Sequence, residues 1–182
     1  MPPPSLERRS HLIRLPAESY RGLAFVHWTM TLANREAGWL GEALHSRFRE
    51  ILLHTLARYR LACPVYCLMP DHLHMIWTGL TAESDQRLAS CFFRTHFNHA
   101  LLTRRLQLQA FDHVLRSQER LYEAFAVISE YILLNPVRAG LCGCWQEYQF
   151  SGSLAVGYAD LDVRQPDYWE RFWRIYNRQV EG

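Results

Sequence analysis

Two short runs of this 182-residue sequence carry side chains whose types and spacing could do chemistry. The first is Met69-Pro-Asp-His-Leu-His-Met-Ile76. Alternate side chains of an extended strand share a face, so His72 and His74 project together while Leu73 and Met75 turn the other way. Two adjacent imidazoles make half of a metal site, with a pair of structural histidines as the competing explanation. The second run is Glu130-Tyr-Ile-Leu-Leu-Asn-Pro-Val-Arg-Ala-Gly140, in which Tyr131 and Asn135 share one helical face beside an apolar stripe. Alone, that tyrosine is a half-buried packing residue and that asparagine a helix stop before proline. Together the runs supply two imidazole nitrogens, an amide oxygen and a phenol, enough for a metal site with a nucleophile beside it.

The elements that must position these groups follow from periodicity. Leu23 to Leu32 reads as a strand. From Glu42 to Tyr59, apolar residues recur at helical spacing. Pro64 to Met69 and Leu73 to Leu80 form a hairpin around Pro70-Asp71, residues 86 to 102 form a second helix, and Ala110 to Leu115 form a short strand. Ser117 caps a third helix that carries Tyr131, and Pro136 stops it at Asn135 before Gly140 turns the chain away. The order β-α-β-β-α-β plus an extra helix predicts an α+β, ferredoxin-like sandwich. Its antiparallel sheet carries two main helices on one face, with the tyrosine on the additional C-terminal helix. Residues 1–22 form a basic, proline-punctuated arm, residues 23–142 the domain holding both runs, and residues 143–182 a tail. The tail is a loop followed by a short aromatic helix with Tyr168, Trp169, Phe172, Trp173 and Tyr176, which packs on the domain or stacks on bases.

Composition excludes several classes. With 49% apolar and 21% charged residues the chain is one globular domain, and it contains no apolar run of the roughly 18 to 20 residues that a membrane span requires. The N-terminus lacks the features of a secretory signal, so a cytoplasmic protein is expected. Five cysteines without a CxxC pair argue for free thiols rather than a disulfide framework or zinc ribbon. All 20 basic residues are arginines; the formal charge of +2 divides into +5 over residues 1–116 and −3 over the remainder. Arginine forks suit phosphate, while genomic base composition is the competing explanation. His96, His99 and His113 are interleaved with Arg94, Arg104, Arg105 and Arg116 in the basic half, as on a nucleic-acid surface.

HLH at 72–74 preceded by MPD, DHVLR at 112–116, and YILLNPVRAGL at 131–141 resemble the REP-associated tyrosine transposases, relatives of the single-tyrosine HUH transposases of small bacterial insertion sequences. The likeness runs in consistent order from about Arg14 to Ser153. It implies sequence-specific cleavage and rejoining of single-stranded DNA beside hairpins. On this resemblance His72, His74 and Asn135 hold a divalent metal, Mg²⁺ or Mn²⁺, and Tyr131 is the nucleophile. Asn135 stands where more distant HUH transposases use glutamine. Arg8, Arg9 and Arg14 on the arm, with His113, Arg116 and Arg138 in the matching segments, are candidates to bind DNA phosphates, against solvated charges and local salt bridges. Two other classes stay open: a metal-dependent phosphodiesterase in which water attacks, and a nucleic-acid-binding module without catalysis. Monomer and homodimer both remain open.

Overall fold

The computed structural model describes residues 14–115 and 121–181, and the side chains of all but the first two residues in the latter stretch. Alternation along the strands sets the architecture. In β1 (Phe25–Thr31), Val26, Trp28 and Met30 face one way and Phe25, His27 and Thr29 the other. α1 (Glu42–Tyr59) follows, then β2 (Leu61–Leu68), β3 (His72–Gly79), α2 (Gln86–Ala100), β4 (Phe111–Val114), α3 (Leu121–Arg138), β5 (Ser151–Leu154) and α4 (Tyr168–Glu181). The strands form one antiparallel sheet in the order β4-β1-β3-β2-β5. Its first four members have the ferredoxin-like order, with α1 and α2 as the connecting helices.

α1 and α2 cover one face, where Phe48, Leu52, Phe93 and Phe97 close over Trp28, Met75 and Trp77. The Asp85 carboxylate caps α2 by accepting from the N–H groups of Arg87 and Leu88, each at 3.0 Å. α3 and α4 lie on the opposite face, where Phe125, Ile132, Phe172 and Tyr176 pack against Phe25, Val65 and Ile76. The tyrosine helix is therefore across the sheet from the main pair, a position the order of elements alone leaves open.

Three features depart from the sequence reading. α3 does not stop at Asn135 but continues through Pro136 to Arg138. Pro136 offers no N–H to the Ile132 carbonyl, yet the next turn closes through Ala139 N–H to Asn135 O and Leu141 N–H to Pro136 O, both at 2.9 Å. Gly140, at φ +68°, then ends the turn. The expected loop after residue 143 contains β5, which pairs with β2 and extends the sheet. Gly152 is required there, because a Cβ would stand 2.8 Å from the Tyr66 hydroxyl. Finally, the end of the arm is folded: Ala17–Tyr20 forms a short 3-10 turn, and fully buried Tyr20 donates its hydroxyl proton to Asp112. The expected Ser117 cap lies outside the described residues.

Candidate active site

The pairing of β1 with β3 assembles the histidines. Thr29 is in register with His74 and Thr31 with His72, so these side chains share the α3 face while Leu73 and Met75 enter the other core. His72 Nε2 and His74 Nε2 converge to 3.0 Å. Behind them, each Nδ1 is engaged. His72 Nδ1 is 2.5 Å from Asp71 Oδ1. His74 Nδ1 is 3.0 Å from Thr29 Oγ1 and 3.1 Å from His27 Nε2. Protons on both Nδ1 atoms satisfy these contacts and leave two Nε2 lone pairs facing each other, which is repulsive unless a cation or a proton lies between them. Ligand atoms about 2.1 Å from an octahedral divalent cation stand about 3.0 Å apart, so the pair fits adjacent positions on one ion.

Electrostatics favour neutral His74 and His27 and an ionised Asp71. Burial holds His74 down to about 3, reinforced by the neighbouring His27 and His72, and holds His27 down to about 4, reinforced by His113. Burial raises the Asp71 carboxyl, but hydrogen bonds from His72 and Arg35 outweigh it, and the net shift is downward. Asp71 thus serves two partners, with Arg35 Nη1 2.8 Å from its other oxygen.

α3 brings the second run to the pair. The Tyr131 ring meets His74 edge-on, with centroids 5.8 Å apart and planes at 80°. Tyr131 is 42% exposed, so its ring packs while its rim faces solvent. On its other side the Arg138 guanidinium lies 5.1 Å from the ring centroid. That contact depends on the helical turn beyond Pro136, which puts Arg138 two turns from Tyr131 on the same face. Asn135 Nδ2 donates to the Tyr131 carbonyl at 3.2 Å; among the described residues its Oδ1 accepts no hydrogen bond. Among the described residues no three His, Cys, Asp or Glu side chains gather around one ion position, so a third protein ligand would be of another type, as an asparagine amide is.

The other candidates divide. His113 is exposed on the same face, in register with His27. Arg14 is on the opposite face: it pairs with Asp112 at 3.3 Å, donates to Ala110 O at 3.2 Å and covers the Trp28 ring at 5.6 Å, so it braces β4. Arg8, Arg9 and Arg116 lie outside the described residues. Three supporting groups escaped the sequence reading. Thr29 and His27 sit in a strand whose pairing partner is not written in the sequence, and the sequence places Asp71 only in the turn. For His27 the one available signal was its alternation with the core residues Val26 and Trp28.

No family model matches the chain, and no curated protein is significantly similar to it in sequence. Among solved structures, that of a REP-associated tyrosine transposase bound to a REP hairpin superposes with a TM-score of 0.65 over 78% of this chain and 81% of the other, at 22% identity. The chain has the fold of a REP-associated tyrosine transposase. The α+β architecture expected from the sequence is the one found. No described helix is long and apolar enough to cross a membrane.

Proposed function

We propose that this chain, which shares the fold of a REP-associated tyrosine transposase bound to a REP hairpin, processes DNA at hairpins, cutting and rejoining single strands through a covalent bond to Tyr131. The observation that carries this function is the edge contact between Tyr131 and His74, which sets a solvent-facing phenol beside two converging imidazoles. In the cutting step the Tyr131 oxygen attacks the scissile phosphorus, the 3′ oxygen of the upstream fragment leaves and takes up a proton, and the downstream 5′ phosphate remains on the tyrosine. The phosphodiester energy is kept in the new linkage, so a 3′ hydroxyl can later attack it and reseal a strand. Arg138, whose guanidinium lies over the Tyr131 ring, offers with exposed His113 positive or hydrogen-bonding contacts to the strand's phosphates. A divalent cation, Mg²⁺ or Mn²⁺, held by His72, His74 and Asn135 would neutralise the phosphate oxygens and favour the ionised phenol. Asp71 and Thr29 orient the two imidazoles from behind.

The test is a denaturing gel of the full chain with labelled hairpin-bearing single strands and Mn²⁺. Wild-type protein is expected to carry the label from the downstream fragment. Tyr131→Phe removes one exposed oxygen and should abolish both adduct and nick while binding DNA as before. Cleavage by Tyr131→Phe at the wild-type rate would make water the nucleophile and replace this function with that of a metal phosphodiesterase. DNA binding without cleavage by the wild type would reduce it to a binding module.

A further inference from the structure

On the flank of α3 away from Tyr131 lies a cleft of about 440 Å³. Three indoles wall it: Trp145, from the turn before β5, and Trp169 and Trp173 from α4. This is where the tail helix divides its aromatics. Tyr168, Phe172 and Tyr176 are buried against the sheet, whereas Trp169 and Trp173 are only partly buried at the cleft. α3 supplies the polar part. Ser129 is 1% exposed, and its hydroxyl has no hydrogen-bond partner among the described residues. A buried hydroxyl left unpaired is destabilising, so its place in the cleft wall points to a ligand that completes it. Beside it the exposed carboxylate of Glu130 immediately precedes Tyr131 in sequence.

These groups select an occupant by chemistry. Indole faces stack on flat π systems, and such stacking suits any nucleobase. The carboxylate narrows the choice, because an ionised glutamate only accepts hydrogen bonds. Guanine presents two adjacent donors, N1–H and N2–H, on one edge. Adenine and cytosine place a ring acceptor next to their single amino group, and thymine flanks its one N–H with two carbonyls. The Ser129 hydroxyl can donate to the guanine O6, the remaining group on that edge. A purely apolar peptide side chain would fill the indole cage yet leave Ser129 unpaired and Glu130 without a donor.

We propose that this cleft holds one unpaired guanine of the substrate strand, stacked among the indoles, with Glu130 and Ser129 reading its edge. The site rests on the DNA-processing function above and adds to it a base-specific anchor on the same helix as the nucleophile. Binding of that base fixes which phosphate reaches Tyr131, so the anchor sets the position of the cut.

The test uses the full chain and hairpin-bearing single strands in which each unpaired base in turn is made abasic, with DNA affinity and the covalent adduct read in parallel. One guanine is expected at which base removal weakens wild-type binding at least about fivefold. Inosine at that position, which lacks the N2 amino group, should weaken it by a smaller factor. In Glu130→Ala, an exposed change that leaves the packing of α3 alone, guanine and inosine should bind alike. In Trp169→Leu the abasic and guanine strands should bind alike. If no single base matters to the wild type, or if its penalties persist unchanged in both variants while the adduct still forms, the base site is overturned and the nuclease function stands. If the wild type forms no adduct with any strand, the nuclease function falls and takes the site with it.

Discussion

The two faces of the sheet are built from the same strands, yet they differ in kind. On the α1–α2 face, Trp28, Met75 and Trp77 lock with Phe48, Phe93 and Phe97 into a continuous apolar layer. On the α3–α4 face, the positions between those residues hold Thr29, His27, His72 and His74 at the centre and an aromatic cluster around Phe125 to one side. The first face resembles an interior made for stability. The second puts polar groups under a helix and leaves one edge open. A protein can therefore place a reactive set within one residue of its core without diluting that core, because neighbouring side chains on a strand never meet.

Substitutions can break that contrast. The largest effect is expected from Phe48→Ala, which opens a cavity between both helices and the sheet and should cost about 3–5 kcal/mol in urea unfolding. A loss below about 1 kcal/mol would mean the α1–α2 layer is not the stabilising one. Acid comes next. Burial holds His27 and His45 down to about 4 and His74 to about 3, with Arg49 and Arg164 reinforcing the shift at His45. All three are harder to protonate in the folded chain than in the unfolded one. Their contribution is thus complete above the ordinary histidine value of about 6.5 and is lost as pH falls through the window down to the folded values. In chelator, stability should drop by about 2 kcal/mol per histidine between pH 7 and pH 4.5, and His27→Gln should remove one histidine's share of the slope. A flat profile would show that these imidazoles are solvated.

A smaller effect sharpens the polar face. Asp71→Asn keeps the shape of the turn but weakens the grip on His72, and should lower Mn²⁺ affinity by about 10–100-fold in titration calorimetry without unfolding the protein. Unchanged affinity would mean that His72 needs no orienting partner. Least of all, Arg14→Gln should cost about 1 kcal/mol or less, from a half-buried pair and a cation–π contact. It should leave DNA affinity unaltered, since Arg14 braces the face away from the site. A loss of DNA binding would return Arg14 to the role expected of the basic arm.

The histidine pair, the tyrosine helix and the ferredoxin-like order were legible because each is a local pattern: period two, period 3.6, and the succession of elements. What was not legible depends on tertiary partners. Ser-Gly-Ser-Leu has the composition of a loop, and it becomes β5 only because β2 offers a free edge and Tyr66 needs a residue without a Cβ beneath it. Pro136 is a good stop signal, but it removes one hydrogen bond from a helix already packed at Ile132 and Leu133, and the chain keeps its course long enough to deliver Arg138. Thr29 and His27 could not be assigned to His74 without the strand register. The basic half of the chain gives less than its charge promised, since Arg21, Arg35, Arg47 and Arg104 each pair with an acidic neighbour.

The separation of core and site by alternation also bears on how such a chain can change over generations. None of the groups at the Tyr131 end contributes to the Trp28–Phe48–Trp77 layer, so on the proposed function a codon change at His72 or Tyr131 would remove cutting and spare folding. On that function, a descendant that grips hairpins without severing them is a single mutation away and would fold as well as its parent. The same independence runs in reverse: one reversion would restore the proposed activity, so its loss need not be final while the scaffold persists.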